Sequence, residues 1–289
     1  MAKTITMPSS PNFSRSSFNL VRTVGTTVSP FTGQTKTQEY DSVYWLAELV
    51  LPPMIRSVAI DWQSFFLEVN GPTNHFQLGD PSALTNTGTY STSYLVANKR
   101  VNNTDVTLSF SGSTITAGAS TFASARAGDF IVVSGATNEA NNGTHKISSV
   151  TSSTVVVTDS TLTTESSTAS CKVRQNVKGA TGLSLLASTS GASGTIKKGD
   201  YLGVLSAAST TSNPQQLVMV VEDATATTDG GQDYYSVKTE PKLRADLTDG
   251  YYVKFTEPKG LFRLINKDVD WAVNTSSFYT MGFSCVEVV

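Results

Sequence analysis

The alternation of apolar and polar residues divides the chain before any motif does. Residues 1–17 are polar and rich in Ser and Pro, and predict an N-terminal arm of the kind that a neighbouring molecule orders. Phe18 to Val28 reads as extended chain, Ser29-Pro30-Phe31-Thr32-Gly33 carries turn chemistry, and a strand resumes over Gln38 to Val50. Tyr40, Tyr44 and Trp45 are its bulky residues. Pro52 and Pro53 stop that strand and suit the first turn of a helix, where the missing proline N–H has no partner to lose. Met54, Val58, Trp62, Phe65, Phe66 and Val69 then recur at spacings of three and four, which is one apolar helical stripe. Arg56, Asp61, Gln63 and Glu68 fall off it, and Gly71-Pro72 ends it. One helix is predicted from about Pro53 to Asn70, with its stripe buried against a sheet face.

The pattern shifts twice more. From about Val101 to Val173 aromatics nearly vanish and Ser, Thr, Ala, Gly and Asn dominate. Short β-like runs persist there, such as Val106–Phe110, Asp129–Val133 and His145–Val150, and Asn141-Asn142-Gly143 is a hairpin-turn signal between two of them. After about Gly194 the aromatics return, with strands expected at Tyr201–Leu205, Gln216–Glu222, Tyr234–Thr239, Tyr251–Phe255, Phe262–Ile265 and Met281–Val288. The two aromatic-rich flanks match in character. They are expected to form one discontinuous domain, 18–100 with 176–289, interrupted by a small all-β insertion at 101–175. The fold class is therefore mainly β with one packed helix. Ala127-Gly128-Asp129-Phe130-Ile131 and Lys198-Gly199-Asp200-Tyr201-Leu202 both set a Gly-Asp turn before an aromatic and a strand. Turn chemistry alone accounts for this recurrence, and a domain repeat needs more matching positions.

Composition narrows the function classes. Charged residues are 15% of the chain, against a usual share of about 25%, so hydroxyls and amides make up much of the polar surface. Such a surface suits close protein–protein packing, where burying Lys or Glu is costly. A net charge of −2 removes the electrostatic case for sequence-specific nucleic-acid binding, but not for a channel through which DNA slides. Cys171 and Cys285 are far apart with no CxxC pair, and read as small buried thiols rather than a zinc site or a disulfide framework. Residues 1–17 lack the apolar core of a signal peptide, and no stretch approaches the ~20 apolar residues of a spanning helix. Synthesis in the cytosol is expected.

Candidate chemistry is sparse. His75 and His145 fall in different expected domains and in no metal or catalytic spacing. There is no Gly-x-Ser-x-Gly elbow, no phosphate-binding GxxxxGK[ST] loop and no GxGxxG after a strand. Glycoside hydrolysis needs only two carboxylates, so each acidic pair is a candidate. Asp61 and Glu68 lie on the polar side of the helix, and Glu222-Asp223 and Asp268/Asp270 flank turns. Asp105, Asp129 and Asp159 lack the density of a calcium loop. No catalytic, cofactor-binding or metal-binding residue is assigned, no cofactor is expected, and the chain reads as non-enzymatic.

The segments that remain are structural, and their order resembles a family. Arg15-Ser16-Ser17-Phe18 leads to Ser29-Pro30-Phe31-Thr32-Gly33, then Gln38 and Trp45, then Leu51-Pro52-Pro53-Met54, the helix, Gly71 and Phe76-Gln77-Leu78-Gly79-Asp80-Pro81. Near the end, Pro241-Lys242-Leu243-Arg244 precedes Glu257-Pro258-Lys259-Gly260-Leu261-Phe262-Arg263-Leu264, Trp271 and Phe283 to Val288. This order resembles the distal-tail proteins of tailed bacteriophages and gene-transfer agents, over about the first 80 and last 60 residues. The resemblance implies a β-sandwich or split-barrel ring domain built from both chain ends, commonly a hexamer. It implies a place at the distal end of a virion tail, between the tail tube and the hub or fibre proteins, with DNA only in passage through the lumen. The Ser/Thr-rich insertion departs from the minimal pattern. Family members carry peripheral modules that are sometimes sugar-binding, so a host-adhesion role with the insertion as binding module is the alternative, alongside another tail or connector subunit.

Overall fold

The computed structural model describes residues 2–90, 92, 94–187 and 194–288, so the first residue of the expected arm and residue 289 lie outside the described residues. The fold is mainly β with one α-helix. Along the chain come β1 (Thr4–Ile5), β2 (Arg15–Val28), β3 (Thr35–Val50), α1 (Arg56–Val69) and β4 (His75–Leu78). Then follow β5 (Tyr94–Ala97), β6 (Asn102–Ser111), β7 (Thr114–Ala117), β8 (Phe130–Ser134), β9 (Gly143–Ser152), β10 (Val155–Thr158) and β11 (Glu165–Arg174). Next are β12 (Gly182–Ala187), β13 (Thr195–Ile196), β14 (Tyr201–Leu205), β15 (Pro214–Val220), β16 (Ala224–Thr225), β17 (Thr227–Asp229), β18 (Gln232–Glu240) and β19 (Tyr252–Lys254). The chain closes with β20 (Gly260–Leu264), β21 (Ala272–Val273), β22 (Tyr279–Thr280) and β23 (Gly282–Glu287).

Packing separates two compact units, Met1–Leu84 with Asn213–Leu217 and Glu257–Val289, and Thr85–Ser212 with Val218–Thr256. This division differs from the expected domains. Aromatic content marks 101 and 175, but the aromatic-rich strands flanking that segment pair with one another rather than with the terminal sheet. Only the chain ends and a short piece of β15 build the first unit.

The first unit is a six-stranded sheet in the order β1-β4-β20-β23-β3-β2, with α1 belonging to the same unit. Along β3, Val43, Trp45, Ala47 and Leu49 are buried, the period-two pattern of a half-covered strand. Helix residues Ala59, Trp62, Phe65, Phe66 and Val69 are buried, and rings of Trp62, Phe65, Phe66, Phe76 and Phe283 meet edge-on or tilted at 5.1–6.2 Å. The expected stripe is thus the core, with a later start. Pro52 and Pro53 precede the helix, Ile55 is its N-cap, and Met54 pairs with Tyr279 as an isolated β-bridge. Asn70 ends it in the left-handed conformation at φ 53°, followed by Gly71 at +61°.

The N-terminal segment is no free arm. β1 adds in parallel to β4, Trp62 Nε1 donates to the Ser10 carbonyl at 3.0 Å, and the Phe13 ring meets Trp62 at 5.7 Å. Its own chain orders it, because Ile5 and Phe13 complete an apolar surface that α1 and the sheet leave open. A second strap is the start of β15. Trp45 Nε1 donates to the Leu217 carbonyl at 2.8 Å, and the Leu217 N–H donates to the buried Glu287 carboxylate at 2.7 Å.

The second unit holds two six-stranded antiparallel barrels. The inner one closes in the order β10-β7-β6-β11-β8-β9 around Leu108, Phe110, Ile115, Phe122, Ile131 and Ile147, all buried. The outer one runs β12-β5-β19-β14-β15-β18, and the β12–β18 pairing closes it. Numbered by chain order within each barrel, both read 5-2-1-6-3-4 around the ring. The Gly-Asp turn sits at the same place in each, ahead of the third strand. Gly128 (φ +92°) donates to the Ile147 carbonyl at 2.7 Å, and the Ile147 N–H returns to the Asp129 carbonyl at 2.8 Å. Gly199 (φ +93°) and Asp200 make the same two bonds with Val220, both at 2.8 Å. Asp129 Oδ2 accepts the Arg126 N–H at 2.9 Å, as Asp200 Oδ2 accepts that of Lys197 at 3.1 Å. The recurrence is of a whole barrel, which turn chemistry alone does not account for. The inner barrel occupies the connection between the first and second strands of the outer.

The seam between the barrels combines a buried polar cluster with apolar contacts. Asp129, fully buried, takes an ion pair from Arg100 and a hydrogen bond from Ser236 Oγ of β18 at 2.7 Å. The Arg100 guanidinium lies 4.4 Å from the Tyr234 ring centre. Val132 of β8 packs on the outer core, and Gly182 of β12 sits so close to Phe130 that a Cβ there would fall 2.1 Å from its ring. Asn176 clamps the backbone of Ser184 with two bonds of 2.7 and 2.8 Å.

Candidate assembly surface

In the first unit, the β2–β3 hairpin is far longer than the sheet needs. Its inner half, up to about Val43, carries the buried side chains of β3. At that point the register shifts, Arg22 facing Val43 but Val24 facing Glu39, a bulge that adds twist and frees the outer half from the sheet. Beyond it Val24, Val28 and Tyr40 are exposed, and Phe31 at the tip is 95% exposed. The Tyr40 ring lies across Gly25, 3.2 Å from where a Cβ would stand, and covers the bare backbone of that cross-strand neighbour. The result is a formed two-stranded arm with no core beneath it. β2 is also the edge of the sheet, so its outer row of backbone groups is open to pairing.

Where the segment after β1 runs past the end of β4 and the residues leading into β20 lies a pocket of about 470 Å³. Pro8, Phe13, Trp62, Leu78, Leu84 and Pro258 give it an apolar lining, with Gln77 and Lys259 at the same pocket. Leu84 is half exposed. Sequence reasoning did not find this pocket, because it is made where the N-terminal segment folds back, and that segment was expected to lie away from its own chain.

The side chains weighed for chemistry are mostly structural. His75, on β4, has its pKa lowered by burial and then by Arg263, and His145 Nε2 lies 3.0 Å from the Asn141 carbonyl in the second unit, its pKa also lowered by burial. Asp61 and Glu68 are exposed on α1, and Asp105, Asp159, Asp268 and Asp270 are exposed elsewhere. Glu222 pairs with Lys238 and Lys146, which hold its pKa down, and Asp223 pairs with Lys197 at 2.7 Å. Cys171 and Cys285 are buried free thiols in separate units, and burial raises both pKa values. Among the described residues no group of three His, Cys, Asp or Glu side chains could hold a metal ion, and no helix is long and apolar enough to cross a membrane.

One carboxylate missed in the sequence is a hub. Glu165 accepts from Thr168 Oγ1 at 2.5 Å, from the N–H groups of Thr137 and Asn138 at 2.7 and 3.1 Å, and from Asn141 Nδ2 at 2.9 Å. The Thr168 hydroxyl first, then the Asn and Thr donors, hold its pKa down to about 2. Nothing in its local sequence, Thr164-Glu165-Ser166, marks it, since apart from Thr168 its partners come from a loop some 25 residues upstream.

Compared with protein-family models, the chain matches none, and a comparison with curated proteins gives no match either.

Proposed function

We propose that this chain is a non-enzymatic structural subunit of a bacteriophage tail, a distal-tail-like ring that joins the tail tube to the hub or fibre proteins and surrounds the DNA channel. The observation that carries the reading is the β2–β3 arm. A hairpin with no core is marginal in water, and natural edge strands are blunted, covered or paired. Here the arm is long, formed and exposed on a surface of low charge, which favours pairing with a neighbouring copy. A symmetric ring of such subunits satisfies every arm with one repeated contact. Mass photometry and negative-stain imaging of the purified chain test this. Closed rings of one stoichiometry are expected, and a monomer at all concentrations up to those of assembly would overturn it.

A second reading has one observation in its favour. Tyr94 and Tyr252, on paired strands β5 and β19, stack at 4.1 Å and 21°, a platform of the kind that sugar rings cover. It lies in the outer barrel rather than in the insertion. Glycan binding that Tyr252→Ala abolishes would favour host adhesion.

A further inference from the structure

We infer that the tip of the β2–β3 arm of one copy, Pro30-Phe31, seats in the pocket beside Leu84 of the next copy of this chain. The inference rests on the ring reading and names its contact. An exposed apolar knob and an apolar pocket elsewhere on the same body make a head-to-tail contact, which forms a ring when the rotation closes. The first unit carries both. Phe31 is 95% exposed, so its ring has no partner in its own chain. The strand order β1-β4-β20-β23-β3-β2 sets the arm at one edge, whereas Leu78 of β4 and Pro258, just before β20, line the pocket on the far side of β3 and β23. Three strand spacings, about 14 Å of sheet, separate β3 from β4. The arm also projects about 20 Å past its bulge, which sets the knob well apart from the pocket of its own chain.

Size and chemistry match. A pocket of about 470 Å³ is in the range that holds small ligands and is ample for a proline and a phenyl ring. Its accessible walls offer the partly exposed Phe13, Leu84 and the prolines Pro8, Pro11 and Pro81 to an aromatic knob, an apolar and aromatic pairing of the kind that anchors interfaces. Lys36 is the one charged residue between 23 and 38, whereas Lys259 and Glu257 balance each other at the pocket, so no like charges oppose docking.

The test uses the full chain. Phe31→Cys and Leu84→Cys are placed together in one chain, where both native thiols are buried. Mild oxidation is expected to give a ladder of covalent oligomers ending at the ring, and mixing the two single variants should give dimers only. Phe31→Ala should raise the concentration for half-assembly about tenfold or more while leaving the melting curve unchanged. Leu84→Glu should act likewise. Wild-type rings that persist with no cross-link and no effect of Phe31→Ala would overturn this contact and leave the ring standing. A cross-link confined within one chain would also overturn it. A wild type that forms no ring would fail the broader reading, and mass photometry of the wild type separates these outcomes.

Discussion

Trp62 and Phe65 show how much one residue of α1 carries. Trp62 is fully buried, touches four aromatic rings and spends its only polar atom on the Ser10 carbonyl. Truncation of either residue to Ala is expected to cost about 3–5 kcal/mol, whereas Gln63→Ala should stay within about 0.5 kcal/mol. Urea unfolding of the three variants checks this, and equal small effects would mean that the stripe is not core. Glu165 supplies a pH dependence. Its folded pKa lies near 2, below the usual 4.5, so its contribution is present above about pH 4.5 and is lost as pH falls toward 2. Glu165→Gln should therefore lower stability at neutral pH and flatten the acid limb of the melting temperature. The stripe was legible because helical spacing is local. Glu165 and Glu287 were not, since most partners of the first and both backbone donors to the second lie far away in sequence.

Among elements, the N-terminal segment moves furthest from its sequence reading. Polar composition told of an arm, but Ile5 and Phe13 suffice to seat it, and a two-residue parallel pairing fixes its register. Deleting residues 2–14 should therefore lower the melting temperature of the first unit, through an exposed Trp62, before it affects assembly. Tryptophan fluorescence and mass photometry of the same sample distinguish the two effects, and an unchanged melt with lost assembly would restore the free-arm view. The true projection is the β2–β3 hairpin. Its strands and turn were legible from Ser29-Pro30-Phe31-Thr32-Gly33, but its reach was not, because exposure depends on where the sheet beneath it stops.

For the whole molecule, the chain ends do build one sheet, as the ordered motifs near both ends led us to expect. What composition misplaced were the strands on either side of the insertion. The inserted barrel, β6 to β11, falls within 101–175, but the flanking strands close a second barrel of identical strand order around it instead of joining the terminal sheet. One Gly-Asp turn per barrel was the visible trace of this repeat, and the strands carrying the rest share topology without sharing residues. If the assembled ring passes DNA without reading it, a titration with duplex DNA at low salt should show weak, sequence-blind binding or none, since net charge is −2. Tight binding that salt abolishes would contradict this role.

The interrupted barrel also dictates an order of events during synthesis. β5 ends at Ala97, but its partners β12 and β19 end at Ala187 and Lys254. At about 5–20 residues per second, β5 leaves the ribosome roughly 8–30 s before the strand that completes its barrel. The inner barrel, by contrast, has every strand available once Arg174 emerges. Vectorial synthesis thus makes the inserted barrel the first finished body, and its Asp129 a ready docking point for Ser236 when β18 arrives. Until then β5 is a bare edge tethered to a folded neighbour, and the nascent chain is most exposed to chaperones and proteases in that interval.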